Sequence, residues 1–100
     1  MEINQKPAFR VNEYYAGKVK SISLQTLEGP MTIGVMAEGK YEFETASIEE
    51  MTVTSGEMLV MLPDEKDYKL YKPYETFVVE KNKVFQVIIE KIATYKCLYK

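Results

Sequence analysis

Breaks in the chain constrain its fold more than any single residue does. Glycine, proline and short polar clusters interrupt it at "EGP", "EG", "SGE", "PDEKD", "KPYE" and "KNK". Spaced at intervals of roughly 8–12 residues, such breaks leave room for strands, and no capped 3.6-residue pattern of helix length appears. Between the breaks, side chains alternate. In residues 16–24, "AGKVKSISL", Val19 and Ser21 alternate with Lys18, Lys20 and Ile22, so the two lysines share a face. Residues 31–45 read as a hairpin looping at Glu38-Gly39, which sets Met36 beside Tyr41 and Gly34 beside Phe43. Tyr41, Phe43 and Thr45 then face one way, and Glu42 and Glu44 the other.

The second half repeats the pattern. "MTVT" and "MLVML" are short strands joined around "SGE", and the second is apolar on both faces, as an interior strand is. "YKLY", "TFVVE" and "VFQVIIE" follow, then "TYKCLYK", which puts Tyr95, Cys97 and Tyr99 on one face. β-branched and aromatic residues dominate these runs. The expectation is one all-β domain, a sandwich or barrel, over residues 12–100. Residues 1–11, interrupted at Pro7 and without periodicity, read as an N-terminal arm.

What is missing narrows the chemistry. The chain has no histidine and one cysteine, Cys97. That excludes a Ser-His-Asp triad and an imidazole base, and it leaves too few ligands for a zinc site. A site of carboxylates alone for Mg²⁺ or Ca²⁺ stays open. The net charge of −2, with lysines scattered among acids, argues against nucleic acid as a partner. No apolar run is long enough to span a bilayer. The opening "MEINQKPAFR" carries an early acid and no apolar core, so it does not read as a secretory signal. A cytoplasmic protein without disulfides is expected.

Several residues invite a functional reading, each beside a plainer one. Glu49 and Glu50 stand together at the entry to a strand. One can enter a pocket there, to bind sugar hydroxyls or steady positive charge, while the other faces away; alternatively both are solvated. Lys18 and Lys20 can hold a phosphate as point charges, or simply protect a strand edge. Thr45 ends an apolar wall with a hydroxyl, and Ser47 follows; both can equally cap a strand end. Tyr41, Tyr95 and Tyr99 can pack against a base or fill the core. Cys97 reads as a small buried apolar residue.

The order of the segments "NEYYAGKVKS" (12–21), "GVMAEGKYEFETA" (34–46), "EEMTVTSGEMLVMLPD" (49–64) and "YKC" (95–97) resembles the pyrimidine/purine nucleoside phosphorylase family of small bacterial cupin-fold enzymes. The resemblance covers about residues 12–100. It implies a single-domain cupin-like β-barrel of the jelly-roll type, usually a homodimer. It also implies phosphorolysis of purine and pyrimidine nucleosides to free base and ribose 1-phosphate, with inorganic phosphate as co-substrate and no cofactor. Metal-binding cupins carry two histidines between a glycine and a glutamate. Here Gly39 opens the segment and Glu49 and Gly56 close it, while Thr45 and Ser47 occupy the histidine spacing. A metal-free pocket follows.

On this reading Glu49 and Thr45 are catalytic, and Lys18, Lys20 and Ser47 bind phosphate. Tyr41 and Tyr99 bind the nucleoside. The alternative is a non-enzymatic cupin dimer that binds a small ligand or is purely structural. Two departures bear on the choice. The family's later block reads Gly, five residues, Pro-Gly, where this chain has Tyr74 and Glu80-Lys81. The basic residue often found after the C-terminal cysteine is Leu98 here.

Overall fold

The computed structural model describes residues 8–100. Ten strands run in order: β1 (Phe9–Tyr14), β2 (Val19–Thr26), β3 (Gly29–Met36), β4 (Gly39–Glu44), β5 (Glu49–Ser55), β6 (Met58–Met61), β7 (Lys69–Tyr71), β8 (Thr76–Val79), β9 (Val84–Ile89) and β10 (Ala93–Tyr99). One 3₁₀ turn, Tyr15–Gly17, separates β1 from β2. A six-stranded sheet is ordered β1-β2-β3-β10-β5-β8, and a four-stranded sheet β4-β9-β6-β7. Every pairing is antiparallel. This is the expected all-β jelly roll, as two facing sheets without a closed ring of hydrogen bonds.

Alternation builds the core. Val53, Phe77 and Val79 point inward from the larger sheet, and Val60, Phe85 and Val87 meet them from the smaller; all are at most 4% exposed. Phe85 stacks at 6.0 Å from Phe77 and 5.5 Å from Phe43, between ring centres, so aromatic contacts tie the sheets together.

The structure corrects the expected hairpin over residues 31–45. Met36 pairs with Val19 and Ala93, whereas Tyr41 pairs with Val87. The chain crosses from one sheet to the other at Ala37–Glu38, so β3 and β4 never pair. Gly39 is there for a close approach: a Cβ would lie 2.8 Å from the Tyr41 hydroxyl oxygen. Gly56, between β5 and β6, likewise marks a crossing. Its φ is +72°, and a Cβ would meet the Ile92 carbonyl at 2.7 Å. The tight hairpin is instead β2–β3, where Thr26 pairs with Gly29 around Leu27-Glu28.

The N-terminal stretch also differs. Residues 1–7 of the arm read over 1–11 lie outside the described residues, but from Phe9 the chain is strand, paired residue by residue with β2. The strand read from Ala16 begins at Val19. Tyr15 and Ala16 turn through left-handed backbone (φ 54° and 55°), and Lys18 ends the 3₁₀ turn.

Candidate active site

A cavity of about 680 Å³ opens between the sheets, beyond the packed core. Register across the larger sheet places its inner wall in rows. One row runs Arg10, Ser23, Thr32, Cys97, Met51, Phe77. The next runs Asn12, Ser21, Gly34, Tyr95. Glu49 lies directly opposite Tyr99. The β1–β3 end of this wall therefore carries amide, hydroxyl and guanidinium groups, and the β5–β8 end is apolar apart from Glu49.

These polar groups are held in place. Asn12 Nδ2 donates to the Oγ atoms of Ser21 (3.2 Å) and Ser23 (2.7 Å). Thr32 Oγ1 and Tyr99 Oη share a hydrogen bond of 2.9 Å. The Tyr95 ring lies across β3, which requires glycine beneath it: a Cβ on Gly34 would sit 2.4 Å from the ring. Burial pushes the Tyr95 hydroxyl up to about 12, with nearby Cys97 and Tyr14 raising it further and a hydrogen bond to Ser21 opposing.

Glu49 is the acid of this wall. Burial raises its carboxyl above the ordinary range, and the Cys97 thiol, donating to Oε1 at 3.7 Å, opposes that rise. Cys97 is fully buried, and its thiol is pushed up to about 12, first by burial and then by the Glu49 charge. It is a donor to the acid, not a nucleophile. Tyr99 is also raised, chiefly by burial. Glu50, next in the strand, points to the outer face and pairs with Lys100 at 3.2 Å.

The facing wall is aromatic. Phe43 and Phe85 come from β4 and β9, and Tyr15 folds over from the β1–β2 turn. Tyr15 packs edge-on against Tyr41 at 5.1 Å and Phe43 at 6.0 Å. Its hydroxyl accepts from Glu42 N at 3.2 Å and donates to the Glu42 carbonyl, fastening the turn to the opposite sheet. Glu42 and Glu44 complete the rim, and Arg10 is the one cation among the described lining residues.

A cavity with one hydroxyl wall, one aromatic wall and a half-buried carboxylate suits a sugar joined to a flat ring. The family profile described as pyrimidine/purine nucleoside phosphorylase matches residues 9–99.

The chain belongs to the pyrimidine/purine nucleoside phosphorylase family.

A relative of that name from Alcanivorax borkumensis is 50% identical, over 91% of this chain and 97% of its own length. Another, from Cellvibrio japonicus, is 46% identical over 91% and 98%. Among solved structures, a protein of unknown function from Vibrio parahaemolyticus superposes with a TM-score of 0.87 at 34% identity, covering 91% of this chain and 97% of that one. A cupin superfamily protein from Desulfitobacterium hafniense superposes with a TM-score of 0.66 at 15% identity, covering 88% and 83%, which shows the fold.

Within this phosphorylase family chain, the residues singled out by sequence fall in different places. Glu49 and Tyr99 line the cavity together. Thr45 does not. It is 2% exposed, donates to the Glu80 carbonyl at 2.6 Å and accepts from Lys83 N at 3.0 Å. Tyr41 stands behind the aromatic wall, with its hydroxyl donated to the Ala37 carbonyl at 2.7 Å. Ser47 lies in the β4–β5 link, away from the lining. Lys18 is exposed in its turn, and Lys20 faces outward, ion-paired to Glu13 at 3.5 Å.

Neither departure from the family pattern reaches the cavity. Leu98 alternates with inward-facing Cys97 and Tyr99, so it points to the outer face. Tyr74 sits in left-handed backbone (φ 72°) where the family pattern has glycine. The turn before β9 is held by Thr45: Asn82 N reaches the Thr45 carbonyl, and Thr45 N reaches the Lys83 carbonyl, each at 2.9 Å.

Sequence reading missed Arg10, Asn12, Ser21, Ser23, Thr32, Tyr15, Phe43 and Phe85 as lining residues. Strand alternation in β2 carried the signal: Ser21 and Ser23 share the face of Val19, which is 1% exposed.

Proposed function

We propose that this protein cleaves purine and pyrimidine nucleosides with inorganic phosphate, releasing free base and ribose 1-phosphate, without a metal ion or cofactor. The observation that carries this reading is the half-buried Glu49 carboxylate, set in a hydroxyl-bearing wall opposite an aromatic one. The volume lies within the roughly 300–1,000 Å³ usual for small-molecule sites.

The chemistry follows from that arrangement. As the bond from C1′ to the base nitrogen breaks, its electron pair leaves with the base, which takes up the proton that the phosphate gives up on bonding to C1′. Positive charge spreads over C1′ and the ring oxygen, as in glycoside cleavage. A phosphate oxygen then bonds to C1′. Glu49 stabilises the cationic sugar, and water exclusion strengthens that attraction. Thr32 and Tyr99 offer hydroxyls to the ribose. Tyr15, Phe43 and Phe85 pack against the base, and apolar packing discriminates weakly among flat rings, which accounts for both base classes.

We further propose a cytoplasmic homodimer. Across the outer face of the larger sheet, Val11, Ile22 and Ile33 stand in register at 64%, 39% and 48% exposure. The Glu13–Lys20 and Glu50–Lys100 pairs match four charges of that face, and Lys96 continues the row beside Ile33. A second copy of the same face suits it. Among the described residues, no helix is long and apolar enough to cross a membrane.

The test is base release from uridine and from adenosine, with and without phosphate, by wild type and Glu49→Gln. Phosphate-dependent release that the variant loses while still folded supports the reading. No release from a panel of nucleosides overturns it in favour of a ligand-binding cupin.

A further inference from the structure

We propose that Arg10 holds the phosphate, at the end of the cavity formed by β1 and β2. This rests on the phosphorolytic reading above and adds the anion subsite to it.

Arg10 stands on the inner face of β1, in register with Ser23, and is the one Lys or Arg among the described lining residues. A guanidinium offers five N–H donors in a planar fork, which matches two phosphate oxygens at once. Ser23, opposite it on β2, adds a hydroxyl donor. Asn12 supplies the proton in both of its bonds to Ser21 and Ser23. Ser23 therefore accepts from the amide and keeps its own O–H to donate to an anion, while the Ser21 hydroxyl is turned to Tyr95. Such convergence of donors is what a phosphate needs.

Charge confines the anion to this end. Glu42 and Glu44 border the rim on β4, and Glu49 lies further along the same wall, so the rest of the cavity repels phosphate. The lysines offer no substitute: Lys18 is in a turn, and Lys20 pairs with Glu13 on the outer side.

Spacing fits the reaction. From β1 to β5 the sheet order runs through β2, β3 and β10. At about 4.8 Å per step, that is roughly 19 Å along the sheet, before curvature shortens it. Arg10 and Glu49 both reach inward from the ends of this span. The gap between them accommodates a pentose with a phosphate at its anomeric carbon. Thr32 and Tyr99 stand between the two, at the height of the sugar.

The test measures phosphate binding without nucleoside, by calorimetric titration of inorganic phosphate into wild type, Arg10→Met, Arg10→Lys and Lys20→Met. Loss of charge-assisted bonds predicts at least about tenfold weaker binding in Arg10→Met. Arg10→Lys should fall between, and Lys20→Met should match wild type. In turnover, Arg10→Met should raise KM for phosphate and leave KM for nucleoside unchanged. Wild-type affinity in Arg10→Met, loss of binding in Lys20→Met, or no phosphate binding by wild type would each overturn the assignment. Arg10-dependent phosphate binding without any base release would leave the subsite standing and remove the reaction.

Discussion

The Cys97 thiol donates to Oε1 of Glu49 across 3.7 Å, joining the chain's one cysteine to the acid of its cavity. The bond favours the charged carboxylate, while burial disfavours it more strongly. Removing the donor should therefore raise the Glu49 pKa further. Cys97→Val, similar in size and apolar, should shift the acidic limb of kcat/KM to higher pH. Cys97→Ser, which keeps a donor, should restore it in part. An unchanged limb in a folded valine variant would show that the thiol only fills space.

Glu49 also bears on stability. Its folded-state pKa is raised by burial, so folding favours the protonated form. That contribution is fully present below the unfolded value of about 4.3 and is lost as pH rises through the folded value. The ionised, desolvated carboxylate thus weakens the fold at neutral pH. Glu49→Gln should raise Tm at pH 7 while abolishing base release, and the Tm difference should vanish near pH 4. A variant less stable than wild type at pH 7 would count against a desolvated site.

Thr45 separates catalysis from architecture. Its hydroxyl joins the end of β4 to the β8–β9 turn through Glu80 and Lys83. Thr45→Val keeps the shape and removes two part-buried hydrogen bonds to exposed turn residues, which costs about 0.5–1.5 kcal/mol per bond. Urea unfolding should report that loss, with kcat/KM preserved at temperatures where the variant is folded. A large fall in kcat/KM without loss of stability would return Thr45 to the chemistry.

How much of this was legible depends on where apolar residues alternate. β9 and β10 read cleanly because Phe85, Val87 and Ile89, or Tyr95 and Cys97, face the interior. β1 and the inner face of β2 did not, because the cavity takes Arg10, Asn12, Ser21 and Ser23 on its inner wall. There the polar residues face inward and apolar Val11 and Ile22 face outward, so the period-2 signal points to the wrong face. Partner choice failed differently. Gly39 and Gly56 look like hairpin glycines in sequence, yet each admits a close neighbour at a crossing between sheets. Which sheet receives a strand depends on distant contacts that a local turn signal does not carry. Alternation showed that only one of Glu49 and Glu50 can face inward, and the family resemblance, not the pattern, singled out Glu49.

The departure at Tyr74 leads to a last expectation. Tyr74 is 81% exposed and holds left-handed backbone at φ 72°. Its amide donates to the Val53 carbonyl at 2.7 Å, and the neighbouring Glu75 amide donates to the Lys72 carbonyl at 3.0 Å, so the turn cannot relax without breaking backbone bonds. A non-glycine residue pays about 1–2 kcal/mol for this conformation. Glycine removes that strain but loses about 0.5–1 kcal/mol of chain entropy on folding. Tyr74→Gly should therefore stabilise the protein by up to about 1.5 kcal/mol. Tyr74→Ala keeps a Cβ and should gain nothing. Because residue 74 does not line the cavity, kcat and KM should stay at wild-type values in both. Denaturant melts of the two variants decide the matter: a glycine variant less stable than the alanine one would mean that the turn carries no strain, since only glycine's entropy cost would then remain.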